Sequence, residues 1–211
     1  MRASKPMPTI GNQLGRHSRR RAGMTFMEIT IGLAITSMIS AAVGAMMFAT
    51  TNGTTVNDSL RDALVTQQRA TQMVSGAIRN SRQVLASGAN YVVLWTGDKT
   101  ANGIPSLSEL CRIEWNSAAQ TLTVYKAPTN ILGTGNDTAY SLGSTNFATV
   151  TSGLEGTGNF PGLLVADGVT GWSLSYNNAT PTLATMIYYQ LTLTAGGAAY
   201  TTIGTAFMRS Q

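Results

Sequence analysis

Between Glu28 and Asp58 the chain carries no charged side chain, and no other stretch restricts its possible folds so strongly. The apolar part, Ile29 to about Thr51, is long enough to cross a bilayer, whose hydrocarbon core of about 30 Å takes roughly 20 helical residues. The run is not uniformly greasy. Gly32, Thr36, Ser40 and Gly44 recur every four residues, and Ser37, Ala41, Ala45 and Ala49 form a second row of small side chains beside them. Small residues at this spacing let helix backbones approach closely in lipid, so the segment reads as a helix that packs against other helices.

The flanks set its orientation. Residues 1–23 hold Arg2, Lys5, Arg16, Arg19, Arg20 and Arg21, six of the 14 Lys and Arg side chains, and no acid. That leaves eight basic against nine acidic groups, net −1, over residues 24–211. By the positive-inside rule the basic end stays in the cytoplasm and the bulk of the chain is exported. A nearly neutral body lacks the basic face that nucleic-acid binding needs, so no nucleic-acid partner is expected.

No proline occurs between Pro8 and Pro105, so the helix is free to continue beyond the membrane. Val56, Leu60, Leu64, Ala70, Val74, Ala77 or Ile78, and Leu85 follow helical spacing, with Gln67 as a lapse in the stripe. Asn52-Gly53 is the weak point, since Gly costs about 1 kcal/mol against Ala in a helix. Gly88 supplies a terminator after Ser87. A helix from Met24 to Ala86, 63 residues, would run about 95 Å at 1.5 Å per residue. That is too long for the remaining residues to bury, so half of it belongs in a membrane or an assembly.

After Gly88 the pattern changes to strands. Residues 91–95, 111–115, 121–125, 169–176, 186–194 and 200–208 are short β-type runs bounded by turn residues. Ala195-Gly196-Gly197 marks a hairpin between the last two. Residues 130–162 carry seven glycines among Thr, Asn and Ser and read as a long irregular connection. The expected fold is α+β: a long N-terminal helix, transmembrane and then amphipathic, packed on a C-terminal antiparallel β-sheet domain. Its parts are a basic leader at 1–23, a transmembrane half at 24–51, an amphipathic half at 52–87 and a β-rich domain at 88–211.

The chemistry-bearing residues are sparse. His17 is the single histidine and lies in the leader. Ser-His-Asp catalysis, Cys-His catalysis and histidine metal sites are therefore excluded from a chain that has lost the leader. Cys111 is the single cysteine; it reads as a small buried hydrophobe, with pairing between chains as the alternative. Asn136, Asp137 and Asn159 offer oxygen ligands for calcium, but too few acids cluster to favour this over a solvated loop. No catalytic residue, cofactor or metal site is expected. Trp95, Trp115, Trp172 and the Tyr188-Tyr189 pair leave a second reading open: an exported carbohydrate- or ligand-binding domain on an ordinary signal anchor.

Glu28 is the residue that needs explaining. Thr25-x-x-Glu28 ahead of an apolar run is a capping box. Capping alone does not account for Gly23, for the arginines before it, or for an acid at the mouth of a membrane helix, where acids usually have a partner. No Lys or Arg lies between Glu28 and Arg61. A cut after Gly23 would create a cation, the α-amino group of Met24.

Basic leader, Gly23, four residues, Glu28, then an uncharged helix resembles the prepilin-type signal of type IV pilins and type II secretion pseudopilins. Met24 and Phe26 stand where that family commonly has Phe and Leu; both remain apolar. Leu94-Trp95, Ile113-Glu114-Trp115 and the final Met208-Arg209 are similar in placement to the J-type minor pseudopilin or the W-type minor pilin. The resemblance implies that a prepilin peptidase cuts between Gly23 and Met24 and N-methylates Met24. It implies that Glu28 pairs with the N-terminus of an adjacent pilin or pseudopilin subunit during assembly. It further implies storage in the lipid of the bacterial inner membrane, single-pass, with the C-terminal domain in the periplasm or outside, before entry into the filament.

Overall fold

The structure, a computed structural model, describes residues 23–195 and 197–209. The leader up to Ala22, with His17, and Gly196 of the hairpin lie outside the described residues. The fold is α+β: one long N-terminal helix whose later part packs against a C-terminal antiparallel sheet domain. By backbone contacts the chain forms two compact units, divided between Thr51 and Asn52.

The first unit is the early part of helix α1 (Phe26–Arg79). α1 is long and apolar enough to cross a membrane. Its apolar side chains up to Phe48 are exposed among the described residues: Phe26 is 80% exposed and Phe48 70%. A helix apolar on all sides with no internal partner needs lipid or other helices around it.

The second unit holds the rest of α1 and all the strands: β1 (Gln83–Ser87), β2 (Tyr91–Trp95), β3 (Leu110–Asn116), β4 (Thr121–Lys126), β5 (Gly162–Ala166), β6 (Val169–Tyr176), β7 (Met186–Ala195) and β8 (Ala198–Phe207). Strands β1 to β5 form one antiparallel sheet in chain order, and β6 to β8 a second. Ala63, Gln67, Ala70, Val74 and Ile78 of α1 are buried. From Ala70 onward this stripe joins Val92, Leu94, Ile113 and Leu122 of the first sheet and Ile187 and Leu191 of the second in one core. Two glycines admit aromatic neighbours. A Cβ on Gly204 would sit 2.1 Å from the Tyr189 ring, and one on Gly162 2.7 Å from that of Tyr125.

Several boundaries differ from expectation. Helical backbone continues through Asn52 and Gly53. The amphipathic half does not reach residue 87: α1 ends at Arg79, and residues 83–87 are strand β1. Leu85 matched the helical stripe by coincidence of spacing. Pairing decides the outcome, because Val84 is fully buried opposite Leu94 in an antiparallel ladder with β2. The β domain thus starts at Gln83 rather than 88. Earlier in the stripe, Ala63 faces inward while Leu64 is half exposed.

The 130–162 connection is more structured than its glycines predict. It contains helix α2 (Phe147–Leu154), capped by the Asn146 side chain accepting from Thr149 N. Ile131, Phe147 and Phe160 pack with Val93, Leu107 and Leu110 in a second core. The five-stranded sheet is therefore covered on both faces, and β2 (Tyr-Val-Val-Leu-Trp) reads as a continuous apolar run rather than an alternating one.

Candidate functional site

Gly23, Met24 and Thr25 are exposed and precede the first helical turn. The capping box forms. Thr25 N donates to Glu28 Oε2 at 2.9 Å, Thr25 Oγ1 donates to the same oxygen at 3.1 Å, and Glu28 N donates to Thr25 Oγ1 at 3.3 Å. Ile29 N opens the helical ladder by donating to Thr25 O at 3.2 Å. These bonds satisfy donors that a helix start leaves free, but they do not neutralise the carboxylate. Among the described residues the ion pairs are those of Arg82 and Arg112, and none includes Glu28.

Gly32 and Gly44 have no atom within 4 Å of the place a Cβ would occupy, so another backbone can approach there. Between them the hydroxyls turn back onto the helix itself. Thr36 Oγ1 donates to Gly32 O at 2.6 Å and Ser40 Oγ to Thr36 O at 2.8 Å. Ser37, Thr50 and Thr51 do the same toward the preceding turn. Each polar hydrogen is thereby satisfied inside its own helix, as hydrocarbon requires. Gly32, Thr36, Ser40 and Gly44 thus present a narrow face with no unpaired hydroxyl hydrogen.

The aromatic residues of the ligand-binding reading sit mainly in the core. Trp95, Trp172 and Tyr189 are buried. The Trp172 and Tyr189 rings stack at 6.3 Å between centroids. Trp95 Nε1 donates to Glu109 at 3.1 Å, and Trp115 Nε1 donates to Val169 O at 3.0 Å. Of the residues named for that reading, Tyr188 is the exposed one. Cys111 is buried and free; burial pushes its thiol up to about 12 against the pull of Lys126, which keeps it a packing group rather than a nucleophile. Asp137 turns away from calcium duty: it accepts from Ser108 N and Ser108 Oγ at 2.8 Å each and from Gly133 N at 3.1 Å. Among the described residues no His, Cys, Asp and Glu cluster suited to a metal occurs.

Three polar clusters were not legible as such. Gln67, a lapse in the stripe, is buried and donates to Thr202 Oγ1 of β8, joining helix to sheet. Glu109 is fully buried and accepts from Thr100 N at 2.9 Å, Ser106 N at 3.1 Å and Lys99 N, which fixes the 96–106 loop. Arg112 is buried beneath α2. It donates from an Nη to Ala148 O at 3.2 Å and Thr151 Oγ1 at 3.1 Å, and lies 4.4 Å from the Tyr91 ring centre. Its Nε–H donates to Glu114 at 3.0 Å. Glu155 comes within 2.7 Å of the same nitrogen but has no aligned hydrogen bond to it. One N–H thus faces two carboxylates. Burial, with the neighbouring Glu114, pushes the Glu155 carboxyl up to about 7, although Arg112 opposes the rise. The signal for this cluster was Arg112-x-Glu114, which a strand places on one face. No protein-family model and no curated protein matches this chain.

Proposed function

We propose that the protein is a structural minor subunit of a type II secretion pseudopilus or a type IV pilus, anchored in the bacterial inner membrane with its C-terminal domain on the periplasmic side until assembly. One observation carries this reading. Among the described residues Glu28 is held in place by its capping box yet has no ion-pair partner, at the start of a helix whose early apolar side chains stay exposed. A carboxylate so placed calls for a positive group from outside the described residues. Cleavage between Gly23 and Met24 by a prepilin peptidase, followed by N-methylation of Met24, supplies one at the right end of the helix. The amino terminus of an adjacent subunit then meets Glu28, and the Gly32 to Gly44 face packs against neighbouring helices in the filament core.

The test is mass spectrometry of the N-terminus of the membrane-extracted protein, with and without Gly23→Glu. The expected mature chain begins at N-methyl-Met24, and the variant retains its leader. A mature chain starting near Met46, the product of an ordinary signal-peptidase cut after the small residues Val43-Gly44-Ala45, or unchanged processing of the variant, overturns the reading.

A further inference from the structure

A cavity of about 480 Å³ opens between α1 and strands β3 and β4 near the C-terminal end of the helix. Its apolar lining includes Met73, Cys111 and Val124, the last two of which are buried core residues. Lys99, Lys126 and Arg209 also line it, and no acid does. Lys99, Lys126 and Arg209 are exposed and stand at its rim, whereas the domain's less exposed cations are paired. Arg82 is paired with Asp98, and Arg112 lies against Glu114 and Glu155. Lys99 donates from Nζ to Ser108 O at a long 3.4 Å, which leaves most of its hydrogen-bonding capacity free. None of the three lining cations belongs to an ion pair among the described residues.

We propose that this cavity binds a carboxylate attached to a small apolar body, with the carboxylate among Lys99, Lys126 and Arg209 and the body against Met73, Cys111 and Val124. The sizes match, since cavities of roughly 300–1,000 Å³ hold small ligands. A neutral hydrocarbon makes no use of the three basic side chains at the rim, and a bare anion leaves the apolar lining in contact with water. A carboxylate on an apolar body satisfies both, through charge-assisted hydrogen bonds at one end and burial at the other. Two sources share this chemistry: a free aliphatic carboxylate, and the apolar C-terminal residue of a polypeptide. The inference stands independently of the filament reading.

The test is a titration of the full chain in detergent, with its methionine methyl groups ¹³C-labelled. Met73→Leu identifies the Met73 signal among the ten methionines. Hexanoate, which is too short to partition strongly into micelles, is expected to shift that signal saturably. Hexanol and inorganic phosphate are expected not to. Lys99→Gln with Lys126→Gln should weaken hexanoate by about tenfold, with the other methionine signals unchanged. Arg209→Gln is the second variant if the double substitution disturbs them. Acetyl-leucine binding tighter than hexanoate identifies a polypeptide end as the source, and weaker binding identifies a free carboxylate. The proposal fails if neither carboxylate shifts Met73, if hexanol or phosphate does so equally, or if the charge-removing variants bind as tightly as the unaltered chain.

Discussion

One helix, α1, runs through two environments, and its two parts solve the burial problem in different ways. Residues 26–51 are predominantly apolar, carry their hydroxyls hydrogen-bonded to their own backbone, and are exposed among the described residues. Residues 52–79 carry their charges on the outer face and bury a stripe ending at Val74 and Ile78 between two sheets. Secondary structure is the same in both, so helix propensity is not what separates them. The difference lies in where the apolar surface finds its neighbours: the later part finds them inside the second unit, and the earlier part finds none among the described residues.

The largest expected effect concerns the charge at the start of the first part. Glu28→Gln keeps an acceptor for Thr25 N, since Gln also completes a capping box, but it removes the charge. Glu28→Ala removes both the charge and the capping-box acceptor. On the proposed filament reading, charge pairing predicts that both variants reach the membrane and neither co-purifies with neighbouring subunits. If capping is the main role, Glu28→Gln assembles normally and only Glu28→Ala fails.

Next is a matched pair of truncations. Ile78→Ala should destabilise the domain by about 3 kcal/mol, the usual cost of a cavity at a fully buried aliphatic site. Ile35→Ala should change it by less than about 0.5 kcal/mol. Urea unfolding followed by tryptophan fluorescence reads this selectively, because Trp95, Trp115 and Trp172 all lie in the second unit. Equal effects would break the distinction between the two parts of α1. Gln67→Ala, measured in the same way, should cost about 1 kcal/mol through loss of the bond to Thr202.

What sequence reveals divides along the same line. The membrane-length run needs only composition and length to be recognised. Strands such as 169–176, whose bounds match those expected, announce themselves by β-branched and aromatic residues between turns. The misreadings fall where a neighbour decides. Residues 83–87 fitted a helical stripe through Leu85 and were recruited as a strand by β2. Strand β5 carries no strand signal of its own, because Gly162-Leu163-Leu164-Val165-Ala166 follows a glycine-rich stretch and is held by pairing with β4. In α2 the signal was present: an Asn146 cap with Phe147, Thr151 and Leu154 on one face. It was masked by the composition around it. At the candidate site the residues at 23–44 were legible, whereas the Arg112 cluster depends on Glu155 arriving from 43 residues away in sequence along strands and loop.

That cluster gives the smallest effect and a further contrast, since α1 has no titratable group between Glu28 and Thr51 while the second unit holds a carboxyl poised near neutrality. Glu155 is raised from an ordinary 4.5 to about 7 because it is partly buried beside Glu114. Between those values the folded chain keeps a proton that the unfolded chain has released. Stability from this group is therefore fully present below 4.5 and declines as pH rises toward about 7. Glu155→Gln holds the position neutral at every pH and should remove this part of the decline. The urea midpoints of the two proteins should lie closer together at about pH 5 than at about pH 8, with the variant the more stable at the higher value. Glu114→Gln offers a cross-check: it takes away the competing carboxylate, lets Glu155 ionise against Arg112, and should likewise flatten the profile. Parallel pH profiles in all three proteins would show that Arg112 neutralises both carboxylates at once and that no proton is shared between them.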